Sequence, residues 1–147
     1  MRKKRESTPR TGTLFPEVDK IIALLSEEPT QDLVILVIPS HDRKNTPLGE
    51  ARTGQWASQA AKLFADLYRG ATAFRAFKGI WKDDDGTYLN DEPITLESYA
   101  SHDDIQDPTK LTDLVHFAKR MGKELNQAAV MLVIGHVMYY IVDYSGV

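Results

Sequence analysis

The hydrophobic spacing between Asp32 and Ile141 changes its period in a fixed order: strand, helix, strand, strand, helix, strand. Apolar residues that alternate or run together indicate strands, and repeats at three and four residues indicate helices. Residues typical of turns or helix caps stand at nearly every junction between these segments. Such a chain buries its apolar surface most simply by laying two helices on one face of an antiparallel sheet. The sequence therefore predicts an α+β domain.

The first predicted strand is the most apolar segment of the chain. Leu33 to Ile38 is continuously hydrophobic and stops at Pro39, a pattern typical of a strand buried on both faces. We therefore expect it at the centre of the sheet. The helix that follows has Thr53 as its predicted cap and Gly70 at its end. Its apolar stripe consists of Trp56, Ala60, Leu63, Phe64, Leu67 and Tyr68.

The second half predicts two hairpins and one further helix. Thr72 to Lys82 is predicted to be one strand, and Asp85-Gly86 turns the chain back. The returning strand runs near Tyr88 and again through Ile94 to Tyr99, with Pro93 interrupting it. Asp107-Pro108 is typical of a helix start. Residues 130–141 are long for one strand, and a glycine at their middle favours a final hairpin.

Composition limits the classes of function. The 147 residues include no cysteine, which excludes disulfides, thiolate metal sites and cysteine nucleophiles and fits a reducing cytoplasm. No apolar run approaches the roughly 20 residues that span a bilayer. No hydrophobic stretch typical of a secretory signal follows the first basic residues. We therefore expect a cytoplasmic protein that does not enter a membrane.

The amino terminus differs in charge from the rest of the chain. Residues 1–10 contain five basic residues and one acidic residue. We predict that residues 1–13 form a basic flexible tail and that residues 14–147 form a single domain, which begins with an extra short helix at Pro16. Flexible basic segments bind nucleic acid by releasing its counterions. Residues 2–10 are therefore a candidate contact for nucleic acid.

Several short motifs carry a resemblance to a group of known proteins. They are Val37-Ile38-Pro39-Ser40 with Asp42 beyond it, Trp56, Gly70-Ala71-Thr72, Gly79-Ile80-Trp81, Asp85-Gly86 and Asn126-Gln127-Ala128-Ala129-Val130. With them, the stretch from about Asp32 to Asp143 resembles small uncharacterised bacterial proteins. That resemblance implies a ferredoxin-like β-α-β-β-α-β fold, in which such domains often pair as dimeric α+β barrels. It implies no particular chemistry.

The loop after the first strand is the main candidate site. It combines a serine, an imidazole, a carboxylate and two cations near the start of a helix, where free amide groups can hold an anion. We expect it to bind a small anionic or polar ligand, with no cofactor and no metal. Side chains of consecutive residues in one extended segment point in different directions. The adjacent Ser40, His41 and Asp42 are therefore not a catalytic triad. The candidate ligand-binding residues are Ser40, His41, Asp42, Arg43, Lys44, Trp56 and Thr72.

Two other functions stay open. Some small ferredoxin-like nucleases place an aspartate after the first strand, so a magnesium-dependent nuclease or phosphodiesterase using Asp42 is the main alternative. The segment His102-Asp103-Asp104 and the carboxylates of residues 83–85 supply further candidate metal ligands, although turns and helix starts favour aspartate for local reasons. The second alternative is a nucleic-acid accessory protein that uses residues 2–10. The sequence leaves open whether the protein is an enzyme.

The sheet itself predicts a partner. Large apolar residues fall on both faces of several predicted strands, including Phe77 and Trp81 beside Arg75. Two helices cover one face only, and a monomer rarely exposes a large contiguous apolar patch. We therefore expect a homodimer joined through sheet surfaces.

Overall fold

The structure is a computed structural model that describes residues 16–22, 24 and 32–147. The predicted tail, residues 1–13, lies outside the described residues. The helices are α1 (Pro16–Ile22), α2 (Glu50–Tyr68), α3 (His102–Gln106) and α4 (Pro108–Glu124). The strands are β1 (Asp32–Ile38), β2 (Thr72–Arg75), β3 (Gly79–Lys82), β4 (Tyr88–Asp91), β5 (Ile94–Ala100), β6 (Val130–Ile134) and β7 (Val137–Ile141). The chain is therefore a mixed α+β structure with several helices and an antiparallel sheet.

Five strands form the main sheet in the order β2-β5-β1-β6-β7, and β3 pairs with β4 in a separate two-stranded sheet. Every pairing is antiparallel. The strand β1 lies between β5 and β6, with Ile38 opposite Ile94 and Leu36 opposite Leu132. Its predicted central position is confirmed. The prediction that both of its faces are buried is only half right, because every second residue from Leu33 to Val37 keeps partial exposure.

The core lies between the main sheet and helices α2 and α4. Strand residues that alternate along β1, β5 and β6 point to the helices, because their side chains share one face of the pleat. Trp56 on α2 meets Phe117 on α4 edge to face, with ring centroids 5.4 Å apart. The largest fully buried side chains are Phe64, Leu36, Ile38, Leu96, Leu114, Met121, Leu125, Leu132, Val34 and Val130.

Three local signals in the sequence are confirmed. The Asp107 carboxylate caps α4 by accepting hydrogen bonds from the backbone N–H groups of Thr109 and Lys110, at 2.8 and 3.2 Å. Gly86 takes φ 85° in the turn between β3 and β4. Gly135 takes φ 64° between β6 and β7, where a first central residue with positive φ is typical of a tight hairpin. Residues 130–141 are therefore two strands.

Two local predictions are wrong, and one helix was not predicted. Helix α2 begins at Glu50, after Gly49, so Thr53 is not its cap. The Thr53 side chain is buried inside the helix, and its hydroxyl donates to the carbonyl oxygens of Gly49 and Glu50. Thr72 to Lys82 is two strands in two different sheets, because the chain leaves the main sheet after Arg75. The short helix α3, capped by Ser101, precedes α4 and was not predicted as a separate helix.

The predicted N-terminal helix is present as α1. Its apolar side chains Val18 and Ile21 are 49% and 60% exposed, so this face is not packed on the sheet or on the other helices. Within the described ranges, no helix combines the length and the hydrophobicity needed to cross a membrane.

Candidate functional site

The face of the main sheet that points away from α2 and α4 carries many apolar side chains; we call it the open face. Side chains alternate between the two faces along each strand, and the register of the strands shows which residues lie on the open face. They are Leu33, Ile35 and Val37 on β1, Thr72 and Phe74 on β2, Thr95, Glu97 and Tyr99 on β5, Met131 and Val133 on β6, and Met138 and Tyr140 on β7. This face is where a ligand or a partner can reach apolar surface.

The β3–β4 hairpin and one end of the open face enclose a pocket of about 270 Å³, the hairpin pocket. Its third wall is the loop after β1. The lining residues are Val37, Pro39, His41, Asp42, Arg43, Asn45, Trp81, Asp83, Leu89, Asn90, Asp91, Gln127, Ala128, Ala129, Val130, Met131 and Tyr140. A concave apolar site with a few convergent polar groups is the usual form of a small-molecule site.

The apolar walls of the pocket come from two different sheets. Trp81 and Leu89 lie opposite each other on β3 and β4 and therefore share one face of the hairpin. Met131 and Tyr140 lie opposite each other on β6 and β7, on the open face. Trp81 is 41% exposed, so its ring remains accessible in the pocket. A planar aromatic ligand can stack against such a surface.

The polar wall is a hydrogen-bonded group centred on Ser40 and Asp91. The Ser40 hydroxyl donates to the Asp91 carboxylate, and the Ser40 backbone N–H donates to the same oxygen at 2.9 Å. The Ser40 Oγ also lies 2.8 Å from Nδ1 of His41 and accepts the Glu92 backbone N–H at 2.9 Å. These contacts fix the end of the hairpin to the loop after β1.

The rest of that loop is held by its own backbone. One carboxylate oxygen of Asp42 accepts the backbone N–H groups of Lys44 and Thr46, at 2.8 and 2.9 Å. The hydrogen bond from the Thr46 backbone is the main cause that lowers the pKa of Asp42 below its usual value. The other oxygen lies 3.4 Å from the side-chain nitrogen of Asn126. The Asp42 carboxylate therefore holds the loop in shape. Its oxygens and the N–H groups of Lys44 and Thr46 bind each other, where a ligand would otherwise bind them.

Arg43 and Gln127 tie the loop to the start of β6. The Arg43 guanidinium donates to the Gln127 carbonyl oxygen at 2.6 Å, and the Arg43 backbone N–H donates to the Asn126 carbonyl oxygen at 2.9 Å. In return, the buried Gln127 side chain donates to the His41 carbonyl oxygen at 2.8 Å. The positive charge of Arg43 is thus partly used in holding the backbone together.

The structure brings together some of the residues predicted from sequence and separates others. His41, Asp42 and Arg43 line the pocket, and Ser40 holds its polar wall. Lys44 is exposed and outside the lining. Trp56 is buried against Phe117 in the helical layer, and Thr72 is exposed on the edge strand β2. Neither of these last two lines the pocket.

Sequence reasoning missed the residues supplied by the hairpin and by β7, which are Trp81, Leu89, Asp91 and Tyr140. One signal points to Asp91. Neighbouring antiparallel strands run in opposite directions, so the segment that enters β5 must lie beside the segment that leaves β1. The register of Ile38 with Ile94 places Ser40 next to Asp91.

The described residues do not bring three or more histidine, aspartate or glutamate side chains into a metal-binding group. The acidic segments at 83–85 and 102–104 serve a hairpin turn and a helix start. Asp104 in the second segment forms an ion pair with Lys110. Of the carboxylates named for a magnesium site, those of Asp42, Asp83, Asp85 and Asp104 therefore have local partners.

Comparison with known proteins gives a structural likeness. No family model matches the chain, and no curated protein matches it. A phage SAM lyase in complex with S-methyl-5'-thioadenosine superposes with a TM-score of 0.56 at 11% identity, covering 80% of this chain and 94% of that chain. A phage SAM lyase in the apo state gives 0.55 at 10% identity, covering 77% and 90%. At these identities the likeness concerns the fold.

Proposed function

We propose that the protein binds a small nucleoside-type ligand in the hairpin pocket. The observation that carries this proposal is the pairing of an aromatic and apolar surface, from Trp81, Leu89, Met131 and Tyr140, with a polar wall around His41. Such a pocket suits a ligand that has a planar ring and several hydrogen-bonding groups. Alanine substitution of a residue that stacks on a base typically costs about 1–3 kcal/mol.

The charge of the pocket refines the kind of ligand. Three carboxylates, from Asp42, Asp83 and Asp91, line it with the single cation Arg43. Since Arg43 donates to a backbone carbonyl and like charges repel, a neutral or cationic ligand suits the pocket better than an anion. Of the two ligand classes expected from the loop composition, we therefore retain the polar one.

The structural comparison supports the same class of ligand. The protein that superposes on this chain is described as a SAM lyase bound to S-methyl-5'-thioadenosine. That molecule is a neutral adenine nucleoside with a thioether, which has the planar ring and the hydrogen-bonding groups that the pocket suits. We propose the same chemical class for this protein and make S-methyl-5'-thioadenosine and SAM the first ligands to test.

We also propose that the fold is a ferredoxin-like β-α-β-β-α-β core with additions. The core consists of β1, α2, β2, β5, α4 and β6 in chain order, which gives the sheet order β2-β5-β1-β6. The strand β7 extends that sheet at one edge, and the β3–β4 hairpin is inserted between β2 and β5. These two additions supply Trp81, Leu89 and Tyr140 to the pocket. We further propose a cytoplasmic location, which the absence of cysteine supports.

The test is a titration of the protein with each ligand, in which binding is measured by calorimetry and by tryptophan fluorescence. Trp81→Ala should weaken binding by about tenfold or more, because it removes the stacking surface. Tyr88→Ala is the matched control, since Tyr88 is an exposed aromatic residue of the same hairpin outside the pocket lining. Trp56→Phe removes the buried second tryptophan, so that the fluorescence of Trp81 is read alone.

The expected result is saturable binding that Trp81→Ala weakens and Tyr88→Ala leaves unchanged. Equal affinity in the wild-type protein and Trp81→Ala would contradict the proposal. The magnesium-dependent nuclease and the nucleic-acid accessory protein remain predictions from sequence, and no contact among the described residues favours either. Cleavage of labelled DNA or RNA that requires magnesium and Asp42 would support the first.

A further inference from the structure

We infer that His41 selects the ligand: its ring is held as the Nδ1–H tautomer, so Nε2 is a fixed acceptor for an N–H or O–H group of the ligand. This inference rests on the proposed function of the hairpin pocket. It goes further because it assigns the tautomer of the His41 ring and requires the ligand to present a hydrogen-bond donor to that ring.

The tautomer follows from the bonds at the Ser40 hydroxyl. A hydroxyl has one proton to donate and two lone pairs that accept. Its proton goes to the Asp91 carboxylate, which has only acceptors to offer. The Glu92 backbone N–H, at 2.9 Å, occupies one lone pair. The 2.8 Å contact with Nδ1 of His41 therefore needs a proton on Nδ1.

The opposite assignment leaves a repulsive contact. If the Ser40 hydroxyl donated to Nδ1, its lone pairs would face the lone pairs of the Asp91 carboxylate, with no proton between the two oxygens. The same Asp91 oxygen already accepts two backbone N–H groups, from Ser40 at 2.9 Å and Glu92 at 3.0 Å. These donors favour a position of that oxygen beside the hydroxyl, and the Glu92 N–H is shared between Asp91 and the Ser40 oxygen.

The other ring nitrogen of His41 is then available to a ligand. In a neutral imidazole with its proton on Nδ1, Nε2 carries a lone pair. Within residues 32–147, no group forms a hydrogen bond or ion pair with this Nε2. The His41 side chain is 30% exposed and lines the pocket. Donors of the required kind include the amino group of adenine and the hydroxyl groups of ribose.

The first experiment reads the tautomer without a ligand. The protein is labelled with ¹⁵N-histidine, and the ring nitrogens are observed at a pH where the signals are those of the neutral ring. The wild-type protein should show a protonated Nδ1 and an unprotonated Nε2 at His41. Ser40→Ala removes the partner of Nδ1 and should shift the ring toward the Nε2–H form. A wild-type ring protonated at Nε2 would overturn the inference.

The second experiment separates the two nitrogens by substitution. A glutamine side chain can place its oxygen near the position of Nε2, whereas an asparagine side chain reaches only the position of Nδ1. His41→Gln should therefore bind S-methyl-5'-thioadenosine within about threefold of the wild-type protein, and His41→Asn should bind about tenfold more weakly. His116→Asn, a change at an exposed histidine on α4, is the matched control and should have no effect.

The two experiments distinguish this inference from the proposed function. Equal losses in His41→Gln and His41→Asn, or wild-type affinity in His41→Asn, would contradict selection by Nε2. A wild-type protein that binds neither S-methyl-5'-thioadenosine nor SAM contradicts the proposed function, while the ligand-free tautomer still decides the state of the ring.

Discussion

Several aspartates of this chain act as local hydrogen-bond acceptors. Four aspartates accept the backbone N–H of the residue two positions further along the chain, which is the usual way that this side chain shapes a turn or a helix start. The pairs are Asp42 with Lys44, Asp85 with Thr87, Asp107 with Thr109 and Asp143 with Ser145. These four carboxylates are therefore used in turns and at a helix start.

Tyr68 gives a prediction about alkaline stability. Burial, with a further contribution from the charge of Asp104, raises the pKa of the Tyr68 phenol to about 12. The unfolded phenol titrates near about 10, so the folded state holds this proton more tightly. Its contribution to stability is complete below about pH 10 and is lost as the pH rises through about 12.

We therefore expect the free energy of unfolding to fall less steeply between these pH values in Tyr68→Phe than in the wild-type protein. Urea unfolding followed by circular dichroism at several pH values measures this slope. Tyr99→Phe changes a tyrosine that is 62% exposed and is the control for general alkaline effects. Identical slopes for the wild-type protein and Tyr68→Phe would show that the prediction is wrong.

At the scale of elements, the β3–β4 hairpin has two faces with different tasks. Trp81 and Leu89 on one face line the pocket. On the other face, Lys82 lies opposite Tyr88, with its nitrogen 5.9 Å from the centre of the ring. The aromatic residues Phe74, Phe77 and Trp81 suggested one strand from Thr72 to Lys82. Residue spacing alone does not reveal where a chain leaves one sheet for another.

The helix α4 offers a test of capping. Asp107→Ala removes the acceptor of two backbone N–H groups at the first turn, and loss of such a cap typically costs about 1 kcal/mol. Chemical denaturation should show this loss of unfolding free energy with an unchanged slope. Asp113→Ala, at an exposed position within the same helix, should change stability by less than about 0.5 kcal/mol. A loss at Asp113 as large as the loss at Asp107 would contradict the capping role.

At the scale of the whole molecule, the open face is an apolar surface on which neither α2 nor α4 lies. Strand β7 forms one edge of the sheet, and Val137 to Ile141 contain no charged residue and no proline, which commonly protect an edge strand from pairing. The exposed fractions of Met138 and Tyr140 are 50% and 52%. The homodimer predicted from the sequence would cover this surface with a second copy, and it stays a prediction.

Sedimentation velocity over a range of concentrations tests it. We expect the wild-type protein to associate and Met138→Lys to be monomeric, because a charge on the open face opposes burial of that face. Ile80→Lys is the control, since Ile80 is 59% exposed on the hairpin and does not line the pocket. A wild-type protein that is monomeric at every concentration would contradict the prediction. So would a Met138→Lys variant that associates as strongly as the wild-type protein.

Local patterns in the sequence determined the elements. The order of strands and helices, the central place of β1, the Asp107 cap and the turns at Gly86 and Gly135 all depend on residues within a few positions of one another. Periodicity and turn chemistry act over that range, so the amino-acid order alone is enough to predict them. The part of the site formed by the loop from Ser40 to Arg43 was predictable for the same reason.

The tertiary structure alone decided which groups meet. Ser40 and Asp91 are 51 positions apart in the chain, and Trp81 and Tyr140 approach the same pocket from two different sheets. The same structure placed Trp56 in the core and the Asp42 carboxylate in its own loop. Contacts of this kind depend on strand register and on where the hairpin lies relative to the end of the open face. These are properties of the folded chain as a whole, and no local spacing records them.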